Sequence, residues 1–209
     1  MNRNMPRGFL PLAVFLALLI LLPIFLAEVM LSALSRLGLS PQASAVTAIL
    51  IFFGGMINVP VKRISRHEMV DHGFHRLYGV GRLFSQRAGQ REYTMIAVNL
   101  GGCIVTSVIV LYELTRIMAH GAGALGLALT AVGVNVALCY KLAQPLPKVG
   151  IALPALLPAF AAAICAIVLH RELAPPIAFC AGVLGPLIGA DLMHLKEISK
   201  INTSVASIG

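Results

Sequence analysis

Apolar residues run almost unbroken through six stretches of the chain, 9–34, 42–60, 94–113, 122–140, 150–169 and 175–195, and polar residues gather between them. Each stretch is close to the roughly 20 residues a helix needs to cross a hydrocarbon layer. In lipid an open chain satisfies its own N–H and C=O groups only as helix. The pattern therefore predicts an all-α, polytopic transmembrane helix bundle of about six spans, a single domain over residues 1–209. Pro60 closes the second span, and Pro154 and Pro158 fall in the first turns of the fifth, where amides have no helical partner to lose. The run after Arg3 and Arg7 is longer than a signal h-region, so it reads as an uncleaved first helix.

Composition strengthens this picture. Of 209 residues, 58% are hydrophobic and 11% charged, where soluble chains carry about a quarter charged. The net charge of +8 raises the question of nucleic acid, but its placement answers against it. Seven of the sixteen Lys and Arg lie in the loop 61–93, as expected of a cytoplasmic loop facing anionic headgroups. The expected partners are the lipid bilayer and other membrane subunits, with no nucleic acid. Cys103, Cys139, Cys165 and Cys180 all sit in apolar stretches without CxxC spacing and read as small hydrophobes.

The cations also set an orientation. With the N-terminus inside, Arg3, Arg7, the seven of loop 61–93, Lys141, Lys148, Lys196 and Lys200 are cytoplasmic. Only Arg36, Arg116 and Arg171 face the other side. Both termini are then cytoplasmic. Asn58 lies four residues before Lys62, Asn99 five residues into the third span, and Asn135 six residues before Lys141. Asp191 sits about 24 Å along its helix from Pro175. All four fall near the cytoplasmic boundary, with Gly54-Gly55, Gly101-Gly102 and Gly189 at similar depth. The expectation is a polar cavity there, lined by Asn58, Asn99, Asn135 and Pro154 beside Asp191. On the other side, Glu28 can pair with Arg36 or Arg116.

Three constellations bear on chemistry. In "GADLMH", Asp191 and His194 stand three apart and share a face of an α-helix, so the imidazole can bond the carboxylate. These two are the candidate catalytic residues. In "RHEMVDHGFHR", His67-Glu68 and Asp71 approach a zincin HExxH motif with Asp in place of the second His. The surrounding "SRHEMVDHGFHRLYGVGRLF" also reads as an amphipathic helix on the inner leaflet, which leaves no metal site assigned. The third is "LPAL", residues 153–156, level with Asp191. No cofactor motif, phosphate loop, haem or flavin signature is present, so no cofactor is expected.

"VGVNVALCYKLAQPLPKVGIALPALLPAFAAA", "LIGADLMHLKEISKINTSVASIG" and "FFGGMINVPV" together resemble an uncharacterised prokaryotic multi-pass membrane family of unknown function. That implies a cytoplasmic (inner) membrane location. More remotely, Gly189-Ala190-Asp191 resembles the GxGD signature of presenilin-like and prepilin-peptidase-like intramembrane aspartyl proteases, and Pro154-Ala155-Leu156 their Pro-Ala-Leu. The likeness implies Asp191 as one catalytic carboxylate and a cleft shaped by Pro154, Ala155 and Leu156. This chain has Ile188 directly before Gly189, places Pro-Ala-Leu before the aspartate, and has only Asp71 as another aspartate. Three functions stay open at this point: a non-enzymatic accessory or scaffold subunit, an aspartyl protease, and a small transporter with a cytoplasmic-side polar site.

Overall fold

The computed structural model describes residues 9–65, 93–146, 150–198 and 205–209. Loop residues 66–92, with His67, Asp71 and the amphipathic stretch, lie outside these. The chain divides into two units, residues 1–50 and 51–209. In the first, α1 (Phe9–Arg36) is apolar on every side. It stops where Gly38 takes a left-handed φ of 77°, with Leu37 and Gly38 donating back to Leu34 and Ser35. Ser40 then caps α2 (Pro41–Gly54): its Oγ accepts from the Ala43 amide at 3.2 Å, and Pro41 occupies the first turn, where it is best tolerated.

The second unit begins in the last turn of α2 and is mostly helical, as the hydropathy pattern predicts. Four helices carry its core: α3 (Thr106–Ala119), α4 (Ala122–Leu142), α5 (Leu156–Leu169) and α6 (Ala174–Leu184). α6 packs against the other three. The fully buried positions are mostly small, Ala128, Ala131, Ala166, Cys180 and Ala181 around Ile117 and Ile177, which lets helix axes approach where no hydrophobic force separates protein from lipid. All four cysteines are free.

Helices Pro11–Arg36, Leu100–Ala119, Ala122–Leu142 and Ala174–Glu197 are long and apolar enough to cross a membrane. α2 and α5 are apolar but have 14 residues each, about 21 Å against the roughly 30 Å of a hydrocarbon core.

The structure amends the helical reading at four places, one of them the stretch 150–169, which opens as strand and is helical only from Leu156. The stretch 42–60 is helical only to Gly54, and Asn58 opens strand β1 (Asn58–Ser65). The stretch 94–113 starts as β2 (Tyr93–Asn99), passes through a π-helical segment π1 (Leu100–Val105), and only then becomes α3. The last span is α6, then a second π segment π2 (Gly185–Leu192), then the short α7 (Leu195–Ile198). β1 pairs antiparallel with β2, and β2 pairs parallel with β5 (Val205–Ile208), so β2 is central. Residues 144–146 and 150–152 form a small antiparallel pair, β3 and β4.

These strands follow from local chemistry. Gly54-Gly55 ends the helix, and Val59-Pro60-Val61 cannot continue one, since Pro60 lacks an amide. In β2, Thr94, Ile96 and Val98 supply β-branched residues, and pairing on both edges satisfies the backbone.

At the opposite end of the bundle Glu113 is fully buried, with both carboxylate oxygens 3.2 Å from Arg116 Nη1. The guanidinium is half-exposed and lies over the Tyr112 ring. Replacing Arg116 by Leu leaves a carboxylate inside the bundle without this cation, at a cost of about 2–3 kcal/mol after allowance for solvent screening of the arginine. Glu113→Gln removes charge and need together and is expected to cost less. Thermal unfolding of both variants in detergent checks that order.

Candidate functional site: a polar junction at the strand ends

The sheet ends where β1 and β2 join their helices. Asn58 and Asn99 are partners in the β1–β2 register. Asn99 is 7% exposed, and its amide is fully engaged. Nδ2 donates to Gly55 O at 2.8 Å and to Asn58 Oδ1 at 3.2 Å, and Oδ1 accepts the Gly102 amide at 2.6 Å. This last bond caps π1. Thr106 Oγ1, one turn on, bonds Gly102 O and reaches Cys103 O at 3.3 Å, a back-bonding that competes with the ordinary helical ladder and suits the widened turn. Asn58 Oδ1 also receives Ser207 Oγ from β5 at 2.7 Å.

Glycines make this junction possible. A Cβ on Gly101 would run into Ile51 O and Gly55 N, and one on Gly102 would lie 2.8 Å from Gly209 C. The helix end and π1 therefore cross backbone to backbone. Gly209, at φ 92°, closes the cluster by donating its amide to Asp191 Oδ2 at 2.8 Å. Asp191 lies half-buried in π2. Cys103 borders Gly209 and lies within electrostatic reach of Asp191.

The structure thus links three sequence candidates, Asn58, Asn99 and Asp191, through β5. It places the other three elsewhere. Asn135 is fully buried on α4, with Nδ2 donating to Ala181 O at 2.8 Å. Its Oδ1 has no hydrogen-bond partner among the described residues. His194 is 6% exposed and turned from Asp191 toward its own backbone. Nδ1 lies 3.1 Å from Gly189 O and 3.0 Å from Ala190 O. Both neighbours are acceptors, so Nδ1 carries the proton. The ring also packs on Tyr140 with centroids 4.9 Å apart. The three-residue spacing predicts a shared face only for α winding, and π winding through Leu192 removes that relation. Pro154 and Ala155 are exposed ahead of α5, and Leu156, its first residue, is exposed too. Among the described residues no three His, Cys, Asp or Glu side chains gather as a metal site.

Ser207, Gly209 and Thr106 are junction members that the sequence reading passes over. Asn99 two residues before Gly101-Gly102 carries a legible cap signal, whereas Ser207 and Gly209 reach the site only through strand pairing.

The class this fold defines is a membrane protein whose apolar helices end in a small sheet and a polar junction. The family model described as "Protein of unknown function (DUF1614)" matches residues 52–209, so the chain belongs to that family. No curated protein and no solved structure matches it.

Proposed function

We propose that this chain is a six-span protein of the prokaryotic cytoplasmic membrane, with both termini in the cytoplasm, that serves as a non-enzymatic scaffold subunit of a membrane complex. The observation carrying this reading is how its polar groups are spent. Asn99 and Asn58 hold strand ends to a helix end, His194 holds two backbone carbonyls, and Asn135 ties α4 to α6. Groups used this way rigidify a membrane bundle. Large apolar side chains such as Phe160, Ile164 and Ile167 remain uncovered on α5 and suit lipid or a neighbouring helix. The short α2 and α5 complete their crossings with the extended residues beside them, which cover about 3.3 Å each.

A second reading has one specific observation in its favour: both π segments meet at Gly209, which lies against Gly102 and Cys103 of π1 and bonds Asp191 of π2, and π turns recur at functional sites. Together with the Gly-Ala-Asp sequence, this supports Asp191 as one carboxylate of an intramembrane aspartyl protease. Such an enzyme needs a second carboxylate sharing a proton, and the other aspartate, Asp71, lies outside the described residues.

Asp191→Asn separates the two. The amide keeps an acceptor for Gly209 N–H, so the scaffold reading expects the variant, expressed in its native membrane, to enter a complex of unchanged mass and support growth as wild type does. An intact, correctly assembled variant that has lost its cellular role, or that no longer cleaves a transmembrane test substrate cut by wild type, sinks the scaffold reading in favour of the protease.

A further inference from the structure

π2 contains a proline at its second position, and this explains why the segment is wound as it is. In α winding, Pro186 would press its ring on Gly182 O and offer it no amide. Ala181 O, five residues back, is not left vacant, because it accepts the Gly185 amide. Asn135 Nδ2 on α4 adds a second donor to that carbonyl, 2.8 Å away, and so ties α4 to the start of π2. Close approach is secured by Gly185, where any Cβ would overlap the Asn135 amide, and by Gly189, whose Cβ would lie 3.0 Å from Cys139 Cβ and closer still to Val136 O. At the far end of the segment, Met193 N–H reaches back five residues to Ile188 O at 3.0 Å. The next two carbonyls, Gly189 and Ala190, accept from His194 Nδ1. One side chain thus grips each end of π2, and Asp191 lies inside the grip.

We infer that Asn135 and His194 are positioning residues for Asp191, holding Gly185–Leu192 in π register and thereby keeping the carboxylate against the end of β5. A π turn holds one residue more than the α turn it replaces, so rewinding shifts every later position by one residue, about 100° around the axis. That rotation carries Asp191 away from Gly209 and Cys103. The orphaned Asn135 Oδ1 fits the same account: the amide is oriented by its bond to Ala181 O, and its acceptor is left without a partner among the described residues. The inference goes beyond the scaffold reading, since it concerns what fixes the direction of Asp191 whatever that carboxylate does.

The test uses native Cys103 as a reporter, with Cys139, Cys165 and Cys180 changed to Ala and Asp191→Cys added. A short homobifunctional thiol reagent should join positions 103 and 191 in the full chain in membranes. Adding His194→Leu or Asn135→Leu is expected to cut the cross-linked fraction by about fivefold, the factor one lost hydrogen bond sets. His194→Asn, whose Nδ2 stands where Nδ1 stood, should stay within about twofold of the parent. A purely structural role would lower the unfolding temperature of all variants without separating Asn from Leu at position 194. Should His194→Leu not accumulate, His194→Gln, which moves the donor to the far ring position, replaces it with the same expectation. Unchanged cross-linking in the Leu variants, or equal loss in His194→Asn, overturns the inference.

Discussion

Gly101→Ala should be the most damaging single methyl in the chain, costing at least about 3 kcal/mol, the upper end of what overpacking does in well-filled cores. The added carbon would meet Ile51 O and Gly55 N and lie 2.9 Å from Gly54 C. All three are backbone atoms, so no side-chain rotation relieves the overlap. The helix end and π1 must separate, and separation breaks the Leu100 N–H bond to Ile57 O and both Asn99 bonds that bridge the gap. Gly126→Ala is the matched control. It sits in the second turn of α4 with nothing within 4 Å of the new carbon, so it should be neutral or slightly stabilising. Thermal unfolding in one detergent reads both. Equal melting temperatures would mean that the backbone crossing is not tight.

Asn99→Leu should follow closely, at about 3–4 kcal/mol. The volume is nearly kept, so the loss is polar. Three hydrogen bonds disappear at about 1 kcal/mol each, and the Gly102 amide and Gly55 carbonyl are left facing an apolar group. Ser207→Ala removes only the bond to Asn58 from an exposed position, and about 0.5–1 kcal/mol is expected. A denaturation series that reversed this order would show that β5, and not Asn99, holds the junction.

Both predictions rest on groups the sequence shows in part. Asn58, Asn99 and Asp191 stand out because an amide or carboxylate in an apolar run demands a partner, and their spacing from flanking cations sets a common depth. The helical cores of the spans are legible for the same reason, since runs such as Ala122–Leu142 have the length of a crossing and no competing turn signal. The strands are not legible by that argument, because Thr94–Asn99 is as apolar as a helix start. Only pairing with residues 58–65 and 205–208 reveals it. The π segments escape for a subtler cause. A proline or a Gly-Gly pair announces a break, but whether the break becomes a kink, an end or one extra residue per turn depends on the neighbours packed against it. For π2 these include Asn135, some fifty residues earlier, which lies against Gly185 and bonds Ala181 O. His194 shows the consequence: a spacing argument built on α geometry pairs it with Asp191, and π winding hands it to Gly189 and Ala190.

Everything functional depends on which side of the bilayer holds the polar junction. Single cysteines at Lys62 and Ser207, beside the junction, and at His120, just past α3, report this directly in cysteine-free chains treated with a membrane-impermeant maleimide. The proposed orientation predicts that Lys62→Cys and Ser207→Cys react in inverted vesicles and stay unlabelled in intact spheroplasts, while His120→Cys does the reverse. Labelling of Lys62→Cys or Ser207→Cys from outside the cell would contradict it.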